Sequence, residues 1–380
     1  MSTSLETGRA RAWAWIAHLR AGGTTPWRSW SSSDAADEGR FLPGAQQLEL
    51  LRRLNLAGRP SSALVDRVLT ASAPGRGRPD LELVGVDEVR RFGPPAVDPA
   101  DLSDDELLRV ATGLLAQRLA ASPVEMRDVV VDRAPGQPLA SSRRRPARRF
   151  RTRYELAGDP WWASSCTEQL VADGRPPGGG GRSVHVLGAD VATMLGHTWT
   201  AATFGPSAPS WPDFLARVRA RRRLPRRIDL PGVVERFRAR PHTGEVSVVL
   251  DLDALPRLVG VRRLAPTADV PRHAAELARQ VGIALGLHVL PAQQTALLTS
   301  LLRPRLAETD GPLPAVPPEH RDWVEDAAFA IRQRLLRAGY PVVGDPDAVL
   351  PTWDAAPASP AGPGRGTLDL AVELLLEEAS

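Results

Sequence analysis

The chain has 380 residues, a formal net charge of +4, and 48 basic residues that are all arginine, with no lysine anywhere. That absence excludes a Schiff-base lysine, a pyridoxal-phosphate lysine and the lysine of a Walker-type phosphate loop. The single cysteine, Cys166, excludes an internal disulfide. No leader-like segment opens the chain and no apolar run approaches 18 residues, so a reducing cytoplasm is the expected setting.

Apolar residues at 43% and charged residues at 24% are ordinary globular usage, and the length predicts two to three domains. In chain order, residues 9–20 read as a short helix stopped by Gly22-Gly23. A second helix is expected from Ala45 to Leu56, with Leu48, Leu51 and Leu54 or Leu50 on one face. Ser103-Asp104-Asp105-Glu106 has the form of a capping box and predicts a helix over 107–119. Residues 1–122 therefore read as a helical N-terminal region. Residues 123–182, rich in Arg, Pro and Gly, read as a flexible bridge around a short ordered piece near Trp161-Trp162.

From 183 the pattern alternates. Strands are expected at Ser183–Leu187 and Glu245–Leu250, where apolar and β-branched residues concentrate. Helices are expected from Asp190 through Trp199, at 211–222 with Pro212 in the first turn, and at 230–240 with Asp229 as N-cap. Further helices follow at 271–286, 291–307 and 318–338. Tyr340–Val343 reads as an edge strand, and 353–380 as a flexible tail closed by an amphipathic helix from Leu368 to Glu378. The fold class predicted is α/β: a small, mostly parallel sheet flanked by helices over 183–352, with ligands expected at the strand C-terminal ends near Gly188–Asp190 and Leu250–Asp253.

Two arginine clusters stand out. Residues 143–153 and 217–227 each hold seven Arg and no acid; the second includes Arg219, Arg222, Arg223 and Arg226. Guanidinium forks bind phosphate and sulfate bidentately, so these stretches fit an anionic small molecule, a glycan or a nucleotide; the alternative is a solvated basic surface. No zinc-finger or RNP-type motif accompanies them, so nucleic acid is not expected. Arg20 with Gly23, Thr24 and Thr25 resembles a phosphate-cradling turn, although it follows a helix and not a strand. Asp251 and Asp253 flank Leu252 after the best strand, where two carboxylates could hold a divalent metal or where Asp253 could simply cap the next helix. None of the seven histidines has zinc-site spacing, and no Gly-x-Ser-x-Gly elbow is present. Trp13, Trp15, Trp27 and Trp30 fit a local core or a protein contact.

The segment Val186–Trp199 resembles the strand-to-helix turn of bacterial sulfotransferase-like proteins, in which Arg-Asp ends the strand, a Ser helps to hold the donor's 3′-phosphate and a Trp follows. Asp190 and Trp199 match; Ala189 stands at the Arg position and His197 near the Ser. Trp211–Leu215, Glu245–Leu250, Arg272–Leu285, Pro318–Trp323 and Ala338–Asp345 are similar, in order, to later segments of that family. The resemblance spans 183–351 and implies a P-loop-type fold, an adenosine 3′,5′-bisphosphate-type nucleotide as cofactor, and a role in cell-envelope glycan modification. The family's phosphate-loop lysine and its 3′-phosphate arginine have no counterpart here. The expected function is thus a sulfotransferase-like protein without standard catalysis that binds an anionic ligand or partner. Two alternatives stay open: an active sulfo- or glycosyltransferase using Arg in place of Lys, and a structural protein-interaction subunit.

Overall fold

A computed structural model describes residues 2–32, 42–71, 80–86, 96–123, 153–179, 181–264, 268–353 and 363–377. In chain order the elements are α1 (Ser2–Arg20), α2 (Ala45–Ala57), α3 (Ser62–Thr70), β1 (Glu82–Leu83), β2 (Ala96–Val97) and α4 (Asp104–Ala121). Then come β3 (Tyr154–Gly158), α5 (Pro160–Ala172), β4 (Arg182–Leu187), α6 (Val191–Thr203), α7 (Trp211–Ala220), α8 (Leu230–Arg238), β5 (Thr243–Val249) and α9 (Leu255–Leu258). The remainder are α10 (Arg272–Leu285), α11 (Pro291–Leu297), α12 (Arg303–Leu306), α13 (Pro318–Leu336), β6 (Val342–Val343) and α14 (Pro363–Leu376). The chain is α/β, with small all-parallel sheets flanked by helices and a helical N-terminal region.

Two compact units divide these elements, and neither is continuous in sequence. One comprises 1–125, 276–301 and 358–380; the other comprises 126–275 and 302–357. The sequence pattern placed 276–301 with the sheet and left 353–380 as a tail. In the structure α14 instead packs on α4 and α2, burying Leu368, Ala371 and Leu375. The first unit is a helical assembly around Trp15, Trp27, Leu48, Leu51, Leu54, Leu107 and Leu114, each nearly inaccessible. Burial of each such side chain contributes about 1.5–3 kcal/mol. The Trp15 and Trp27 rings lie 5.3 Å apart, so these two tryptophans build core. Helix α2 also buries Glu49 at 2% exposure. Arg52 holds that carboxylate with two hydrogen bonds of 2.6 and 2.7 Å, and Arg53 adds a third of 3.0 Å. The capping box before α4 is not closed: Ser103 occupies the N-cap but its hydroxyl accepts no backbone bond, and Glu106 turns to Arg109 at 2.6 Å.

The second unit holds the four-stranded parallel sheet, in the order β3-β4-β5-β6. Part of the stretch read as a bridge is thus a strand and helix; residues 124–152, with most of the first arginine cluster, lie outside the described residues. Composition hid β3 because Glu155 interrupts its apolar run and Gly158 ends it. Register pairs Leu156 with His185 and His185 with Ser247, and the next pair on that face is Leu187 with Val249. This face packs on Ala163, Cys166 and Leu170 of α5 and on Leu255 and Val259. The opposite face carries Val184, Val186, Val246 and Val248, all buried. Strand order equals chain order, so the sheet contains no reversal of the kind that opens a binding crevice in doubly wound folds.

Each strand ends in the same way. Gly158-Asp159, Gly188-Ala189-Asp190, Leu250-Asp251 and Gly344-Asp345 leave the sheet, and each Asp side chain caps the helical turn that follows. Gly158 has φ +92°, and a Cβ there would lie 2.1 Å from the Leu187 carbonyl oxygen. Only glycine fits both demands. Gly158→Ala is expected to lower stability by about 2 kcal/mol or more, read as a drop in urea midpoint at unchanged slope.

Candidate functional site

The residues that sequence reasoning singled out are divided between the two units. Arg20, Gly23, Thr24 and Thr25 lie in the first unit, at the end of α1. Gly22, at φ +88°, terminates that helix, and a Cβ on Gly23 would strike the His18 ring at 2.2 Å. The Thr25 hydroxyl meets His18 Nε2 at 3.1 Å, the Thr25 carbonyl accepts from Trp15 Nε1 at 2.9 Å, and Arg20 faces Asp66 at 3.7 Å. The turn is a helix terminus whose groups bond to their own unit. In the second unit Asp251 accepts from the Asp253 backbone N–H at 3.0 Å, so Asp251 and not Asp253 is the cap. Both carboxylates are exposed. Among the described residues no group of three or more His, Cys, Asp or Glu could hold a metal ion.

Asp190 caps α6 by accepting from the Thr193 N–H at 2.9 Å. Two turns into that helix, His197 is 1% exposed and lies between two carboxylates. Its Nδ1 donates to Asp159 Oδ2 at 2.8 Å, and its Nε2 lies 3.0 Å from Asp269 Oδ1. The second contact is close but misaligned, so neither Nε2 nor Oδ1 makes a directed hydrogen bond. The edge of Trp162 lies against the imidazole, with centroids 5.1 Å apart. Burial alone would push the His197 pKa down. The hydrogen bond to Asp159 and the nearby charges of Asp159 and Asp269 outweigh it and raise the value to about 9. His197 is therefore an imidazolium at neutral pH.

Asp159 has a second task. Its Oδ1 accepts from the backbone N–H groups of Trp161 at 3.0 Å and Trp162 at 2.9 Å, while Pro160 supplies no donor at all. The N-terminus of α5, which follows a parallel strand and would favour an external anion, already holds a carboxylate. Asp159 is fully buried, and its own backbone N–H continues the sheet by donating to Leu187 O at 2.9 Å.

A carboxylate that orients an imidazole is half of a catalytic relay. Here the other ring nitrogen faces Asp269 where a reacting group would sit, so the arrangement is a closed ion cluster. Cys166 is equally unsuited to attack: burial pushes its thiol up to about 11. On the sheet, His185 Nδ1 and Ser247 Oγ lie 2.9 Å apart, both residues are buried, and burial pushes the His185 pKa down, toward the neutral form. Sequence reasoning missed Asp159 and Asp269. Gly-Asp-Pro before an apolar run is a helix-start signature that could have found Asp159. Asp269 reaches His197 only through tertiary packing.

The described part of the second arginine cluster is the end of α7 and the turn to α8. Arg217, Arg219, Arg221, Arg222, Arg223, Arg226 and Arg227 are all exposed. No protein-family model, curated protein or solved structure matches this chain. No helix among the described residues is long and apolar enough to cross a membrane.

The raised His197 pKa has a definite pH signature. Its contribution is present in full below the ordinary value of 6.5 and is lost as pH rises through about 9. The urea stability of wild type over His197→Gln should be greatest near pH 6 and shrink by on the order of 3 kcal/mol at alkaline pH. A pH-independent difference would mean that His197 is neutral in the fold.

Proposed function

We propose that this chain is a sulfotransferase-like protein that binds an anionic ligand or partner and does not carry out donor-dependent transfer. The observation that carries this reading is the Asp159 carboxylate on the N-terminus of α5. A sulfuryl or phosphoryl donor needs cationic or N–H groups facing its oxyanions. At the C-terminal edge of this sheet those N–H groups are taken by Asp159, Asp190, Asp251 and Asp345. The buried imidazolium there, His197, is held by Asp159 and Asp269. The absence of lysine agrees with this, and Arg20 is held by Asp66. The ordered similarity of 183–351 to sulfotransferase-like proteins supplies the family part of the reading, and cell-envelope glycan modification is the context it implies.

Calorimetric titration with adenosine 3′,5′-bisphosphate at low and at physiological salt tests it. The expected result is no saturable binding at physiological salt, and at most weak heats at low salt that added salt removes. Saturable micromolar binding that survives salt would overturn the reading and establish a working donor site.

A further inference from the structure

We propose that the surface formed by the last turn of α7 and the turn leading to α8 is a docking site for a linear, base-free polyanion, with inorganic polyphosphate as the ligand class. The proposal rests on the reading above that the chain binds anions without transferring from a donor.

The surface is rigid. Val218 is 7% exposed and Ile228 is fully buried, so the segment is pinned to its unit at both ends. The helix closes through Arg221 N–H to Arg217 O at 3.2 Å and Arg222 N–H to Arg219 O at 3.0 Å. Arg222 then takes a left-handed conformation at φ 48°, and the next turn is closed by Ile228 N–H to Pro225 O at 3.1 Å. Arg219 Nη1 reaches back to the Glu319 carbonyl at 3.0 Å, and Arg236 bonds to the Arg226 carbonyl. The guanidinium groups thus project from a fixed frame.

Several arginines elsewhere are neutralised from within the fold. Arg52, Arg109, Arg182, Arg279, Arg303, Arg332 and Arg334 each pair with a carboxylate. Among the described residues, none pairs with Arg217, Arg221, Arg222, Arg223 or Arg226. Adjacent unpaired cations repel and must be balanced by mobile counterions. A ligand with closely spaced oxyanions releases those counterions on binding.

The residues between the arginines narrow the chemistry further. Over 217–227 they are Val218, Ala220, Leu224 and Pro225. No aromatic ring is present to stack on a base or a sugar. No amide, hydroxyl or carboxylate is present to read a sugar hydroxyl. Specific recognition of nucleic acid and of glycans uses such groups. A chain of phosphates needs only guanidinium forks.

The test uses the full-length protein and long-chain inorganic polyphosphate, measured by competition over a salt series. Arg217→Gln/Arg221→Gln/Arg223→Gln removes three cations that pair with none of the described residues. The control, Arg257→Gln/Arg262→Gln/Arg263→Gln, removes three exposed cations elsewhere on the same unit. Saturable wild-type binding is expected, with polyphosphate preferred over sulfated dextran and over single-stranded DNA of equal charge. The α7 variant should bind about 10-fold or more weakly, with the salt slope reduced by roughly 2, while the control stays near wild type. Equal losses in the two variants would reduce the effect to net charge and overturn the site. Tighter binding of DNA or of the sulfated polymer would overturn the ligand class. Thermal midpoints of both variants report folding, and a misfolded α7 variant is replaced by Arg226→Gln alone. A salt-resistant bisphosphate site that the α7 variant leaves intact would overturn the non-transfer reading and spare this one; loss of polyphosphate binding alone does the reverse.

Discussion

The buried Asp159 ties several elements of the second unit together. One oxygen satisfies two orphan N–H groups at the head of α5 and the other fixes the His197 ring on α6, while the Asp159 backbone extends the β3–β4 ladder. Three elements share one residue. A charge so deep is costly unless every lone pair is used, and here each oxygen has its donors. The other side of the imidazolium faces a second carboxylate, Asp269, three residues before the start of α10.

The same logic repeats along the sheet edge. Four strands end in an aspartate that closes the following turn, so a fold geometry that favours anion binding has its N–H groups occupied from within. The positive charge of the unit is displaced to another place, the rim of α7. There, among the described residues, Arg217, Arg221, Arg222, Arg223 and Arg226 have no carboxylate partner, whereas Arg52, Arg109 and Arg182 each have one. A binding role at a distance from the strand ends is the arrangement these two facts support together.

Much of the fold was legible in the sequence. Strands β4 and β5 were marked by Val-rich runs bounded by glycine and aspartate, and α10, α11 and α13 by apolar spacing. Strand β3 was not, because Glu155 and the neighbouring arginines give it the composition of a linker; Glu155 is in fact paired with Arg182 across to β4. Helix α3 was also passed over, although Ser61 caps it from the expected position. Of the candidate site, Asp190 and His197 were noticed, but as parts of a phosphate site. Their roles depend on Asp159 and Asp269, which lie 38 residues before and 72 after His197 and meet it only in the folded chain. Short-range patterns carry caps and faces; they do not carry which charge will be buried against which.

The placement of α14 has a consequence for how the protein comes to exist. Its apolar face, with Leu368, Ala371 and Leu375, covers α4 and α2, which are made more than two hundred residues earlier. A chain emerging from its N-terminus therefore carries α2 and α4 with part of their apolar surface bare until α14 has been made. The sheet unit can close sooner, since its last strand, β6, precedes α14. The helical surface that α14 covers is thus made well before its cover, and for that interval its bare leucines are open to aggregation or to capture by a chaperone.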